Sequence, residues 1–355
     1  MSSINLDDLQ VFQQHDPQGM VQRIGELHWQ CEQAWQMALG FKLPADYAEV
    51  DKVVVLGMGG SAIGGDLVRS LALSEAPVPL FVLRDYDLPA FVDGRTLVVA
   101  SSYSGGTEET LSGFQQALEA GARVLAITTG GKLKTLAEKK GVPVFSFDYK
   151  AQPRAALGFS LLPLLCFLQQ LGFLKDKSAD VAETVQVLRE VSAVANEVSP
   201  QSANPAKQLA QRLYGRLPVI YGAGVLAEVA HRWKTQVNEN GKAWAFYEVF
   251  PELNHNAVVG YQMPPDLAGK LMVVLLRSPG LNKRVQLRYR VTCELLDRAG
   301  VGYDFADSRG NSPLSQMMSL IMLGDYASYY LALLYRIDPS PVEVISYLKA
   351  ELAKE

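Results

Sequence analysis

The sequence predicts an α/β protein with two doubly wound parallel-sheet domains, each a three-layer αβα stack, preceded by a helical leader and followed by C-terminal helices. Three observations carry this expectation. Short apolar runs such as Val53–Leu56, Thr96–Ala100 and Val124–Thr128 read as strands buried on both faces. Helix-length stretches separate them, the alternation that builds a parallel sheet. Finally, Val54-Val55-Leu56-Gly57-Met58-Gly59 returns as Val219-Ile220-Tyr221-Gly222-Ala223-Gly224, so one strand-and-glycine-turn element is used twice, as in an old duplication. The length of 355 residues suits two domains at about 150 residues each.

Taken in order, Met20, Ile24, Leu27, Cys31, Ala34 and Met37 recur at three and four residues and predict one leader helix from Met20 to Met37. The first domain follows with strands at 53–56, 80–83, 96–100, 124–128 and 142–147. Helices are expected at 62–73, 108–120 and 133–140. A helical block runs from Arg154 to about Gly215. A strand at 218–221 then ends in the second glycine turn, with a helix at 225–238 after it, and further strands at 271–276 and 302–305 flank a helix at 283–299. The last helices, 314–335 and 342–354, are broken at Asp338-Pro339-Ser340-Pro341, where proline cannot continue a helix. The expected division is 1–153 for the leader and first domain, and 154–355 for the helical linker, second domain and C-terminal helices.

Composition narrows the function. Apolar residues make up 48% and charged residues 20%, which is ordinary globular usage and excludes a disordered or coiled-coil chain. Lys and Arg total 33 against 37 Asp and Glu, a formal charge of −4, so general nucleic-acid binding lacks its electrostatic drive. The three cysteines, Cys31, Cys166 and Cys293, are far apart and sit in apolar patterns, as buried thiols of a reducing compartment do. The four histidines lack zinc-ligand spacing. The N-terminus has no basic region followed by an apolar run, and Ala155–Leu168 fits a core helix better than a membrane span. The expected location is the cytoplasm.

Two loops offer ligand chemistry. Gly57-Met58-Gly59-Gly60-Ser61-Ala62 lies between a strand and a helix, where glycines admit an anion to helix-terminal N–H groups. Its G-x-G-x-x-A form also matches a dinucleotide fingerprint. The ribose-binding acid of that motif stands about 20 residues on, whereas Asp85 and Asp87 are 28 and 30 residues beyond Gly57. The second loop, Ser101-Ser102-Tyr103-Ser104-Gly105-Gly106-Thr107, gathers hydroxyls just before a helix, a directional cradle for a phosphate dianion. A helix cap by Thr107, Ser104 or Ser102 explains one or two of these residues, not the cluster. Both loops fall at carboxyl ends of strands, where open α/β sheets bind ligands.

Together, Gly57–Ser61 and Ser102–Thr110 resemble the sugar isomerase (SIS) domain, which binds phosphosugars. Pro153–Gly158, Asn238-Glu239-Asn240 and Glu252–Asn256 resemble the bifunctional phosphoglucose/phosphomannose isomerase family. The resemblance covers most of the chain beyond the leader. It departs at Gly106, where the family's loop has asparagine.

The resemblance implies two SIS domains and metal-independent, cofactor-free interconversion of glucose 6-phosphate and fructose 6-phosphate, with mannose 6-phosphate as a second substrate. It implies phosphate binding by Gly59, Gly60, Ser61, Ser102, Ser104 and Thr107, with Glu239 as the base that moves a proton between C2 and C1. His255 would open the sugar ring, Arg154 would stabilise the enediolate, and Lys349 would reach the reacting hydroxyls. In the family the histidine comes from the neighbouring subunit, so a homodimer is implied. Spacing alone reads Glu239 and Lys349 as solvated charges, His255 as a loop histidine and Arg154 as a helix-start charge. His231 shares a helix face with Glu228 and Thr235, and no role is implied for it. Two other readings stay open: a non-catalytic phosphosugar sensor, and amidotransfer to fructose 6-phosphate, which needs a reactive N-terminal cysteine where the first cysteine here is Cys31.

Overall fold

The computed structural model describes residues 4–352 and 354. Its helices are α1 (Leu9–His15), α2 (Met20–Gly25), α3 (Leu27–Leu39), α4 (Gly59–Ala72), α5 (Glu108–Glu119), α6 (Gly131–Lys139), α7 (Leu157–Gln170), α8 (Ser178–Ala195), α9 (Pro205–Leu213), α10 (Ala227–Glu239), α11 (Lys283–Ala299), α12 (Pro313–Leu334) and α13 (Glu343–Leu352). The strands are β1 (Lys52–Leu56), β2 (Leu80–Leu83), β3 (Thr96–Ser101), β4 (Arg123–Thr128), β5 (Val144–Ser146), β6 (Leu217–Ala223), β7 (Phe246–Phe250), β8 (Leu271–Arg277) and β9 (Gly302–Asp307).

Two parallel sheets form, ordered β2-β1-β3-β4-β5 and β7-β6-β8-β9. The second repeats the first four positions of the first. The glycine turns match as well, because Gly59 and Gly224 hold φ of +50° and +53° at equivalent places after β1 and β6. A backbone in that region favours glycine. The expected two-sheet α/β architecture is therefore present, and the duplicated motif is one geometry used twice.

Chain contacts divide the protein into two compact units, neither of them continuous. The first-sheet unit comprises Glu26–Arg189 with Arg309–Ser319; the second-sheet unit takes the chain up to Gly25, Glu190–Ser308 and the chain from Leu320 on. The helical stretch from Arg154 to Arg189 thus packs with the first sheet. The leader is not the single helix expected. It breaks at Gly25-Glu26 into α2 and α3, one in each unit, and Met37 at its end is 40% exposed.

In the first-sheet unit, Val54, Leu56, Val98, Ala100, Val124 and Ala126 face Phe114, Ala117, Leu133 and Ala137 of α5 and α6, all buried. Right-handed crossovers to opposite sides of β1 put α4 on the other face, where α7 packs on it, with Ser160 against Gly64. Burial pushes the thiols of Cys31 and Cys166 up to about 12, so both are packing groups.

Glu183 of α8 caps the start of α12. Its carboxylate accepts hydrogen bonds from Asn311 N (2.7 Å), Asn311 Nδ2 (2.9 Å), Ser312 N (2.9 Å) and Ser315 Oγ (3.0 Å). Burial alone would raise its pKa, but these bonds outweigh burial and lower it from 4.5 to about 2. A depressed carboxylate contributes stability that is fully present above the unfolded value and is lost as pH falls through the folded one. Glu183→Gln is expected to cost about 1–2 kcal/mol at pH 7, read by urea unfolding. The wild type should lose that margin between about pH 4.5 and pH 2, while the variant's stability changes less over that range.

In the second-sheet unit, α10 is anchored on α12 by Arg232 Nη2 donating to Asp325 Oδ2 (2.7 Å) and Trp233 Nε1 donating to the Leu320 carbonyl (2.8 Å), all buried side chains. Lys207 is fully buried and satisfied by Asp7 (3.1 Å) and the carbonyls of Glu197 and Ser199 (both 2.8 Å). β7 is an edge strand the sequence reading did not find. Among the described residues one helix, α12, is long and apolar enough to cross a membrane, but 94% of that segment is buried inside the protein, as in a core helix.

Candidate active site

The two ligand loops meet at the point where the first sheet changes direction. The chain goes from β1 outward to β2 and returns to β3 on the other side, so the turns after β1 and β3 flank the crevice between them. Tyr103 N donates to Ser61 Oγ across that crevice at 3.2 Å. Gly59, Gly60 and Ser61 form the first turn of α4, and Thr107 stands at the N-cap of α5.

Thr107 does not act as a cap. Its hydroxyl makes no side-chain bond to the helix and instead pairs with Ser102 Oγ at 2.9 Å. Ser104 accepts from Gly106 N at 3.3 Å, with its own side chain exposed. A Cβ on Gly106 would meet only Ser104 Oγ at 3.8 Å, so its glycine answers no steric demand. Gly60 does: a Cβ there would lie 2.8 Å from the Pro153 carbonyl oxygen and 3.1 Å from Arg154 Cα. That close approach seats the 3₁₀ turn Pro153–Ala155, with Arg154 only 3% exposed, against the start of α4. Arg154 and the hydroxyl loops thus share one end of one unit.

Three supporting residues escaped the sequence reading. Gln30 is fully buried on the apolar face of α3, donates to the Ala155 carbonyl (2.8 Å) and Tyr149 Oη (3.0 Å), and accepts from Gly158 N (3.3 Å). Tyr103 Oη accepts from Ala151 N (2.9 Å) and donates to the Tyr149 carbonyl. Tyr149 Oη donates to Glu26 at 2.7 Å. Together they tie the Arg154 segment to the serine loop. The available signal was a glutamine on the same stripe as Leu27, Cys31 and Ala34.

In the second-sheet unit, Glu239 is the last residue of α10 and partly exposed. Its flanking asparagines turn inward: Asn238 Nδ2 donates to the Ala243 carbonyl (2.8 Å), and the buried Asn240 donates to Ser328 Oγ (3.1 Å). His255 ends the 3₁₀ turn Glu252–His255 and is exposed, while its neighbours are pinned by buried Leu253, by Asn254 Nδ2 donating to Thr292 Oγ1 (2.9 Å) and by Asn256 Nδ2 donating to Glu252 (2.8 Å). Lys349 lies on α13, none of whose residues is buried. His231 stacks on Tyr247 (4.8 Å) and bonds Glu228 (3.2 Å), a local arrangement that accounts for it.

The topology of the second sheet sets Glu239 and His255 apart along one chain. Helix α10 is the crossover between parallel strands β6 and β7, so it returns the chain to the amino-terminal edge of the sheet. Glu239 therefore stands at that edge, and His255 follows β7 at the carboxyl edge. The five residues of β7 separate the two edges by about 16 Å.

A cavity of about 710 Å³ opens elsewhere, lined by Arg277, Tyr289, Cys293, Phe305 and Asp307 among others. It contains none of the residues to which the resemblance gives a role in binding or catalysis. The hydroxyl loops are the better ligand site, because they gather Ser61, Ser102 and Thr107 about one crevice, whereas Arg277 is already committed to Asp307 at 2.6 and 2.7 Å.

The chain is similar to the bifunctional phosphoglucose/phosphomannose isomerase of Caldicellulosiruptor bescii, at 44% identity over 94% of this chain and 99% of that one. It belongs to that family. The enzyme of the same description from Aquifex aeolicus is 36% identical over 91% of this chain and 99% of its own. Residues 202–352 match the bacterial phospho-glucose isomerase C-terminal SIS domain. A solved hypothetical protein of Thermus thermophilus shares the fold, with a TM-score of 0.74 at 19% identity over 97% of this chain and 92% of that one. This bifunctional isomerase family member is thus an enzyme of the isomerase class with two SIS-type sheets.

Proposed function

We propose that the chain interconverts glucose 6-phosphate and fructose 6-phosphate, and also takes mannose 6-phosphate, as a cytoplasmic homodimer without metal or cofactor. The observation that carries the substrate class is the hydroxyl pair Ser102 and Thr107, at 2.9 Å, beside Ser61 and the start of α4. Such donors bind a phosphate dianion in a chain whose net charge of −4 gives no attraction at a distance.

In the reaction, His255 moves a proton between the ring oxygen and the C1 hydroxyl as the pyranose opens, a task suited to an imidazole, which can both accept and donate a proton. Glu239 takes the C2 proton and returns it to C1, while a second proton shifts between the hydroxyl oxygens near Lys349. Arg154, permanently charged and almost fully buried, stabilises the cis-enediolate between those steps. Return of the proton to either face of C2 yields glucose or mannose 6-phosphate from one intermediate.

The opposite-edge positions of Glu239 and His255 support the dimer, since one chain brings only half of this pair to any one place. Exposed apolar residues support it too: Val344, Leu348 and Leu352 form a stripe on α13 at 82, 56 and 52% exposure, and Val259 and Met263 follow His255 at 84 and 74%. Such surface is covered in stable assemblies.

The test is a coupled assay with purified protein and EDTA, offering glucose, mannose and glucosamine 6-phosphates separately. Turnover of the first two is expected. A requirement for added metal would contradict the mechanism, and binding without turnover of any of the three would favour the sensor reading.

A further inference from the structure

The turn that carries Glu239 is closed by Lys242, a residue with no assigned role. Its Nζ donates to the backbone carbonyl of Glu239 and, at 2.8 Å, to that of Pro339. The last carbonyls of a helix lack intrahelical partners and form the negative pole of its dipole, so an ammonium there makes charge-assisted bonds. Lys242 also holds φ of +51°, a region uncommon for residues other than glycine. That conformation is kept by what surrounds it: Asn240 N bonds the Gln236 carbonyl (2.8 Å) and Ala243 N bonds that of Val237 (3.3 Å), closing the turn on either side. Pro339 belongs to the connection between α12 and α13. One side chain therefore ties the base-bearing turn to the segment that launches the helix carrying Lys349.

We propose that Lys242 is a positioning residue for the isomerisation, which locks the backbone of Glu239 and couples it to the connection into α13. The proposal rests on Glu239 being the base. A carboxylate that takes a proton from carbon needs a narrow approach, and the fixed carbonyl removes the helix-end fraying that would broaden it. Lys242 itself is exposed, and its Nζ donates to backbone carbonyls at the turn and the connection, so the role assigned to it is positioning.

The test compares Lys242→Met and Lys242→Arg with the wild type on glucose 6-phosphate and its 2-deuterated form. Lys242→Met is expected to lower kcat by about tenfold to a hundredfold. KM should move less than about twofold, because the phosphate contacts are elsewhere. The deuterium effect on kcat should rise, because proton transfer from C2 becomes slower relative to the other steps. Lys242→Arg, which keeps a cationic donor, should recover most of the rate. An unchanged kcat and deuterium effect in Lys242→Met overturns the proposal, as does a loss with an unchanged deuterium effect that tracks a lowered unfolding temperature. Glu239→Gln measured alongside separates the two readings: if it stays active, the base assignment fails; if it is inactive while Lys242→Met behaves as wild type, only the role of Lys242 fails.

Discussion

Glu239→Gln is expected to reduce isomerase turnover by on the order of 10²–10⁴-fold while leaving sugar-phosphate binding and the fold intact. The magnitude is what a positioned general base contributes. Glutamine keeps the shape of the side chain and removes its ability to accept the C2 proton. Glu239 sits at a helix end with its neighbours Asn238 and Asn240 turned inward to hold the turn, so the substitution disturbs no buried partner of those residues. The measurement is the coupled assay for kcat, with fructose 6-phosphate binding by calorimetry as the control. A variant with normal turnover would remove Glu239 from the mechanism.

Mixing Glu239→Gln with His255→Ala is expected to restore activity that neither variant has alone. The argument is geometric. In the proposed dimer, each centre takes its glutamate from one chain and its histidine from another. A mixed dimer then has one centre with both residues and one with neither. Random pairing of equal amounts makes about half the dimers mixed, so about a quarter of wild-type activity should return after exchange of subunits. Activity that stays near zero after exchange has been verified by mass spectrometry would place both residues of a centre in the same chain.

Much of the architecture was legible because its signals are local. Val53–Leu56 and Val124–Thr128 have no polar face, and a strand with no polar face has to be covered on both sides. The glycine turns were legible because the geometry they need favours one residue type. What failed to show was whatever depends on a partner distant in sequence. Phe246-Tyr247-Glu248-Val249-Phe250 is a strand by pairing with β6, yet Phe246 and Tyr247 are 48 and 36% exposed, so no clear apolar face marks it. The leader broke at Gly25-Glu26 because its two halves pack in different units, which helical periodicity cannot express.

The candidate site divides in the same way. A cluster of hydroxyls before a helix is visible in one dimension, but the pairing of Thr107 with Ser102 in place of a cap is not. Gln30 looked like any polar residue on a helix until Ala155 and Tyr149 were brought to it from more than a hundred residues away. Missing β7 had a further cost. Without that strand, Glu239 and His255 are merely 16 residues apart. With it, the chain must cross the full depth of the sheet between them.

If the proposed dimer holds, strand β7 bears on regulation by abundance as well as on geometry. A chain by itself owns parts of two different centres and completes neither, so on this reading the isolated subunit has no turnover at all rather than half of the pair's. Catalysis then begins only once two copies have met. In the proposed dimer, the depth of one five-residue strand is what would make output rise, at low abundance, with the square of the amount of chain.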